Sequence, residues 1–142
     1  MSYARYTLVF LLIVAATGFA VAALNAQADT RLGSSAQLMV PAMVAAAIEG
    51  QRFARAHQRR PETGTAWTFT WFATAVAVVL NVGLAFLAGG LLPEFGRLAI
   101  AAPLSQQFLL LLAFYAGGYV ICNRLFLGIG VSTELSRQAR DK

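Results

Sequence analysis

Charged residues cut this chain into four uncharged blocks, and the lengths of those blocks restrict its fold more than any other feature. The blocks cover residues 6–28, between Arg5 and Asp29; 32–48, between Arg31 and Glu49; 63–93, between Glu62 and Glu94; and 98–123, between Arg97 and Arg124. A helix that crosses a bilayer needs about 20 mostly apolar residues. The first, third and fourth blocks supply them. The second is shorter, opens with Ser34, Ser35 and Gln37, and contains Pro41. Pro41 falls near its start, where a missing N–H costs least, and Ala42 to Ile48 follow without a break. The layout predicts four transmembrane helices at about 6–25, 34–50, 66–88 and 106–126. Composition agrees: 58% of the 142 residues are hydrophobic and 12% charged, against about a quarter charged in an average soluble domain. Too few polar side chains remain to clothe a soluble fold.

The charge distribution predicts the topology. The formal net charge is +5, from 11 basic and 6 acidic side chains. With four spans, Arg5, Arg52, Arg55, Arg59, Arg60, Arg124, Arg137, Arg140 and Lys142 share one side, and Arg31 and Arg97 the other. The arginine-rich side is cytoplasmic by the positive-inside rule, which puts both termini inside. The expected fold is therefore an all-α, polytopic four-helix bundle with N-in/C-in topology. A leader-like Ala26-Gln27-Ala28 follows the first block, but the apolar run before it is long for a signal peptide, so an uncleaved span is expected.

The stretch EGQRFARAHQRRPETGTAW becomes the cytoplasmic connector, residues 51–65, rather than a nucleic-acid patch. The second helix is expected to continue past the membrane toward Pro61, with Arg52, Arg55 and Arg59 on one face. Thr63 or Thr65 is the expected cap of the third helix, and Trp67 and Trp71 the expected interfacial anchors. Leu91, Leu92, Phe95, Leu98 and Ile100 suggest an interfacial segment on the outer side. Leu125 to Val131 reads as an extra helical turn or an interfacial stretch, and residues 132–142 as a short solvated tail.

Small residues recur at helix-packing spacing: Ala73, Ala77, Asn81, Ala85 and Gly89; Ala42, Ala46 and Gly50; Ala113 and Gly117 beside Gly118. Asn81 needs a hydrogen-bond partner inside the bundle. Tyr115, Tyr119 and Cys122 fall on one face of the fourth helix, read as packing. Arg124 reads as snorkelling to headgroups, with Glu49 as a candidate ion-pair partner. A lone histidine, His57, and a lone cysteine do not make a metal site. No Ser-His-Asp set, phosphate-binding Gly loop or H-E-x-x-H is present, and no carboxylate pair lies within a span. The chain thus reads as non-enzymatic, without a cofactor, metal or nucleic-acid partner. Two functions fit: an interaction or accessory protein acting through helix packing, alone or in a larger complex, and a small transporter or channel built as a homo-oligomer.

The segment GQRFARAHQRRPETGTAW, entered from an Ala-rich span and left into a Trp-initiated one, resembles an uncharacterised family of short four-span bacterial membrane proteins. The matching residues are Gly50, Phe53, Arg60, Pro61 and Trp67, and the hydropathy layout matches along the whole chain. The resemblance implies a multi-pass protein of the bacterial inner membrane and supplies no activity.

Overall fold

A computed structural model describes residues 1–27, 36–87 and 104–141. The expected signal-type cleavage motif, Gly89, Arg31, Arg97 and the outer segment around Leu91 to Ile100 lie wholly or partly outside these residues, and so does the side chain of Ala85. The described chain forms four helices: α1 (Tyr3–Gln27), α2 (Ala36–His57), α3 (Thr63–Leu87) and α4 (Gln106–Arg140). Three of them, α1, α3 and α4, are long and apolar enough to cross a membrane; α2 is not.

The interior contacts fix the helix directions. Met39 of α2 lies against Gly118 of α4, Ala47 against Gly130, and Arg55 against Glu134, so α2 and α4 run parallel. Tyr3 and Tyr6 of α1 pack on Phe69 of α3, with ring centroids 6.0 and 5.8 Å apart, and Tyr3 also meets Phe72 at 5.2 Å. The starts of α1 and α3 therefore lie together. Thr74 meets Asn123, and Phe86 meets Phe108, so α3 runs antiparallel to α4. The result is an up-down-up-down bundle. Its N-terminus, the α2–α3 turn and the C-terminal part of α4 share one end.

The α2–α4 pair is the tightest crossing. A Cβ on Gly130 would collide with the carbonyl oxygen of Ala47, and one on Gly50 with that of Leu127. Hydrogen at these two positions lets the backbones touch. Pro41 lies inside α2 without ending it. Its absent N–H would have bonded to Gln37, in the first turn, so only one peripheral bond is lost. Of the small-residue stripes, Ala42, Ala46 and Gly50, and Ala73, Ala77 and Asn81, are buried in the bundle. The α4 stripe is different: Ala113 and Gly117 are exposed, and a Cβ on Gly117 would meet nothing within 4 Å. The buried face of α4 is Phe108, Tyr115, Tyr119, Asn123, Leu127, Gly130, Val131 and Glu134.

Three boundaries depart from the sequence expectation. Residues 132–142 are no free tail, because α4 runs unbroken to Arg140 and buries Val131 and Glu134 against α2. At 1.5 Å per residue its 35 residues extend about 50 Å, well beyond a hydrocarbon core of about 30 Å. The α2 helix stops at His57, three residues before the residue that precedes Pro61. Gln58 takes a left-handed conformation, φ 51°, that turns the chain back toward α3 while its N–H still bonds to Ala54 O at 2.8 Å. Arg59 consequently leaves the face shared by Arg52 and Arg55. At the start of α3, Ala66 N–H bonds to Glu62 O at 2.9 Å, which places Thr63 and Thr65 inside the first turn rather than at the cap.

Candidate functional site

Polar side chains gather at the end of the bundle that holds the α2–α3 turn and continue inward between the helices. Nearest the N-terminus, the Glu49 carboxylate is buried, 1% exposed. Arg5 binds it in two places, through Nε to Oε1 and through Nη2 to Oε2 at 3.1 Å. The Ser2 N–H adds a third bond at 2.9 Å. A buried charge needs such pairing. The expected Glu49–Arg124 pair is therefore corrected: Arg5 approaches from α1 and occupies the carboxylate. Arg124 instead lays its guanidinium over Trp67, with Cζ 5.5 Å from the ring centroid. That contact suits a cation beside an aromatic face.

One helical turn deeper, α4 offers Asn123. Tyr6 donates its hydroxyl to Asn123 Oδ1 at 2.8 Å, and Asn123 Nδ2 donates to Thr74 Oγ1 at 3.2 Å. One side chain thus links α1, α3 and α4. Asn81 Nδ2 donates to the Tyr119 hydroxyl at 3.2 Å, a partner of the kind that an amide inside an apolar helix needs. Its Oδ1 is buried and has no partner among the described residues. Tyr115, Tyr119 and Cys122 share a face of α4, with both tyrosines buried and Cys122 half-buried, which agrees with packing.

Beyond the deep network, the α2 and α4 extensions are clasped by charge. Arg55 Nε and Nη2 each reach a different oxygen of Glu134 at 3.0 Å, and Gln138 adds a longer bond at 3.4 Å. This fork-on-carboxylate geometry is the strong form of the ion pair. The Arg55 hydrogen bonds hold the Glu134 carboxyl below its usual range, and Glu134 in turn raises Arg55. Arg52 is exposed, while Arg59 pairs with Glu62 at 3.6 Å. His57 stacks on Phe53 at 4.3 Å and closes the end of α2.

Between the α2–α3 turn, the start of α3 and the middle of α4 lies a cleft of about 340 Å³. Arg60, Thr63, Arg124 and Ser132 border it, above a floor that includes Leu127 and Val131. Arg60 reaches Ser132 Oγ at 3.5 Å.

The structure thus brings Arg60 and Arg124 to one cleft and separates Glu49 from Arg124. It adds Arg5, Tyr6, Thr74, Asn123 and Glu134, which sequence reasoning passed over. A signal existed for the α4 members: Tyr119, Asn123, Leu127 and Glu134 continue one helical face at steps of four, four and seven. No protein-family model matches the chain, and neither curated proteins nor solved structures give a significant match.

Proposed function

We propose that the chain is a four-span protein of the bacterial inner membrane, with both termini cytoplasmic, that acts without catalysis as an interaction or accessory subunit. Membrane residence is supported by the outward faces of α1, α3 and α4. Leu8, Phe19, Trp71, Val79, Leu110 and Phe114 are all more than half exposed, a surface that water would not tolerate at this density. The up-down-up-down packing gives α2 the same course as α4, which supports a fourth crossing. The helix is poor in hydropathy because it carries Glu49, Arg52, Arg55 and His57, and α1 and α4 flank it. The arginine-rich end then faces the cytoplasm.

The observation that carries the interaction reading is on α4. Its inward polar groups bond to neighbouring helices, while Ala113 and Gly117 face outward beside Phe114 and Ile121. A flat strip of small residues flanked by large ones lets another transmembrane helix approach closely. The partner is a second copy or a subunit of a larger membrane complex. Gly117→Leu should abolish its copurification in mild detergent while leaving the monomer folded. A wild-type chain that runs as a lone monomer, or a G117L variant that keeps its partner, would refute the reading. Topology is tested apart from this, in a Cys122→Ser background, by labelling cysteines at Thr30 and His57. The four-span course requires that they react from opposite faces.

A homo-oligomeric transporter or channel is the second reading. The Oδ1 of Asn81, unpartnered among the described residues, is the feature that favours it, and transport into vesicles that is lost in Asn81→Leu would establish it.

A further inference from the structure

We infer that the cleft between the α2–α3 turn and α4 is a binding site for a phosphate-bearing anion. Two arginines line it, Arg60 and Arg124. Among the described residues neither is paired with a carboxylate: Glu49, Glu62 and Glu134 are taken by Arg5, Arg59 and Arg55. Arg124 is half-buried, and its guanidinium lies over the face of Trp67. Two cations on one concave surface repel unless an anion lies between them, and a planar guanidinium matches the oxygens of a phosphate.

The backbone adds to the same field. Helix α3 begins at Thr63, on the cleft wall, and the N–H groups of its first turn have no acceptor within the helix. The positive end of a 25-residue helix thus lies beside the space that the arginines line. Thr63 and Ser132 supply hydroxyls that can donate to a phosphate oxygen. The local chain is built for this shape. The left-handed Gln58 and Pro61 fold residues 58–62 back over α4, which places Arg60 within reach of Ser132.

The ligand chemistry is shared by two sources: the headgroup of an anionic phospholipid, and a free phosphate or phosphate ester from the aqueous side. The lipid source rests on the membrane reading above; the free-phosphate source does not. In a Trp71→Phe background Trp67 is the sole tryptophan, because the chain has two, and its fluorescence reports on the Arg124 contact. One arm titrates inorganic phosphate into the protein in a non-ionic detergent. The other reconstitutes it in phosphatidylcholine nanodiscs with a rising fraction of phosphatidylglycerol.

A saturable response is expected in at least one arm, and the arm that responds names the source. Arg60→Gln, a change at an exposed residue that does not touch Trp67, should raise the half-saturating concentration about tenfold or more, the loss expected for one charge-assisted bond. Arg124→Gln should do the same, read by isothermal calorimetry because it alters the fluorophore's neighbour. Arg137→Gln/Arg140→Gln, a loss of two charges elsewhere, should leave saturation unchanged. No saturable response in either arm would overturn the inference. So would an equal weakening in the Arg137/Arg140 variant, since the attraction would then be diffuse.

Discussion

Alanine at Gly50 or Gly130 is the most demanding test of the α2–α4 crossing. A Cβ at Gly130 would overlap the Ala47 carbonyl oxygen and lie 2.9 and 3.0 Å from its carbonyl carbon and Cα. At Gly50 it would overlap the Leu127 carbonyl oxygen and lie 3.1 Å from Val131 N. Carbon atoms rest comfortably at about 3.5–4.0 Å, so the helices must separate locally by about 1 Å. Every offending atom is backbone, and no rotamer change relieves the overlap. Overpacking of this kind costs about 1–3 kcal/mol. We expect each single variant to lower the unfolding free energy by that amount, measured by SDS titration with circular dichroism. The double variant should cost less than the sum, because one separation relieves both overlaps. Gly117→Ala and Gly64→Ala meet nothing within 4 Å and should change monomer stability by less than about 0.5 kcal/mol. If G50A and G130A are as stable as wild type, or if G117A in the monomer is equally damaging, the backbone-contact account is wrong.

Three further outcomes follow from the polar groups. In a double-mutant cycle, Glu49→Gln and Arg5→Gln should be coupled by about 1.5–3 kcal/mol, whereas Glu49→Gln and Arg124→Gln should be additive; coupling to Arg124 instead would restore the pairing expected from sequence. Asn123→Ala should destabilise more than Tyr6→Phe or Thr74→Val, because it removes both hydrogen bonds of the link; each such bond in a membrane is worth about 0.6 kcal/mol on average and at most about 1.7, and equal costs for N123A and Y6F in SDS titration would contradict this. The carboxyl of Glu134 titrates lower in the folded chain than in the unfolded one, so its clasp to Arg55 contributes fully above the ordinary carboxylate value of about 4.3 and is lost as pH falls through the lowered folded value. Spin labels at the exposed Ala56 and Ser136 should therefore move apart in acid and, at neutral pH, in Glu134→Gln; an unchanged distance distribution in E134Q would show that the clasp does not hold the two extensions together.

The helices were legible because their signals are local. Block length, the alanine runs and the spacing of Arg52 and Arg55 all act within one segment, and a helix forms in each of the four blocks, although the ends of α2, α3 and α4 lie elsewhere. The Asn81 contact was legible for a related reason: one amide on an otherwise apolar face must find a partner, whichever helix supplies it. Partner choice was not legible. Glu49 and Arg124 lie toward the same end of parallel helices, and sequence offers no means to tell that Arg5, carried in by α1, is nearer. The continuation of α4 was hidden because SRQARDK is polar and reads as a tail; only the partner residue Arg55, remote in sequence, makes Glu134 a buried position. The outward stripe at Ala113 and Gly117 was seen as packing, but spacing does not say whether the neighbour lies inside the chain or beyond it.

Hydropathy and burial are divided among these helices in opposite senses, and that division accounts for both the fold and its exposed end. The helices that leave large apolar side chains outside, α1, α3 and α4, are the ones apolar enough to span. The α2 helix carries a glutamate, two arginines and a histidine, and it is flanked by α1 and α4, with α4 as its principal neighbour. Its alanines and Gly50 permit the close crossing, and the close crossing in turn shields Glu49 beneath Arg5. Polarity that would be costly against lipid is thus confined to one interior seam and one end. At that end Arg55 is paired with Glu134, and Arg59 with Glu62. Arg60 and Arg124, lining a common cleft, have no acidic partner among the described residues, and their charge is an electrostatic demand that a second molecule could meet.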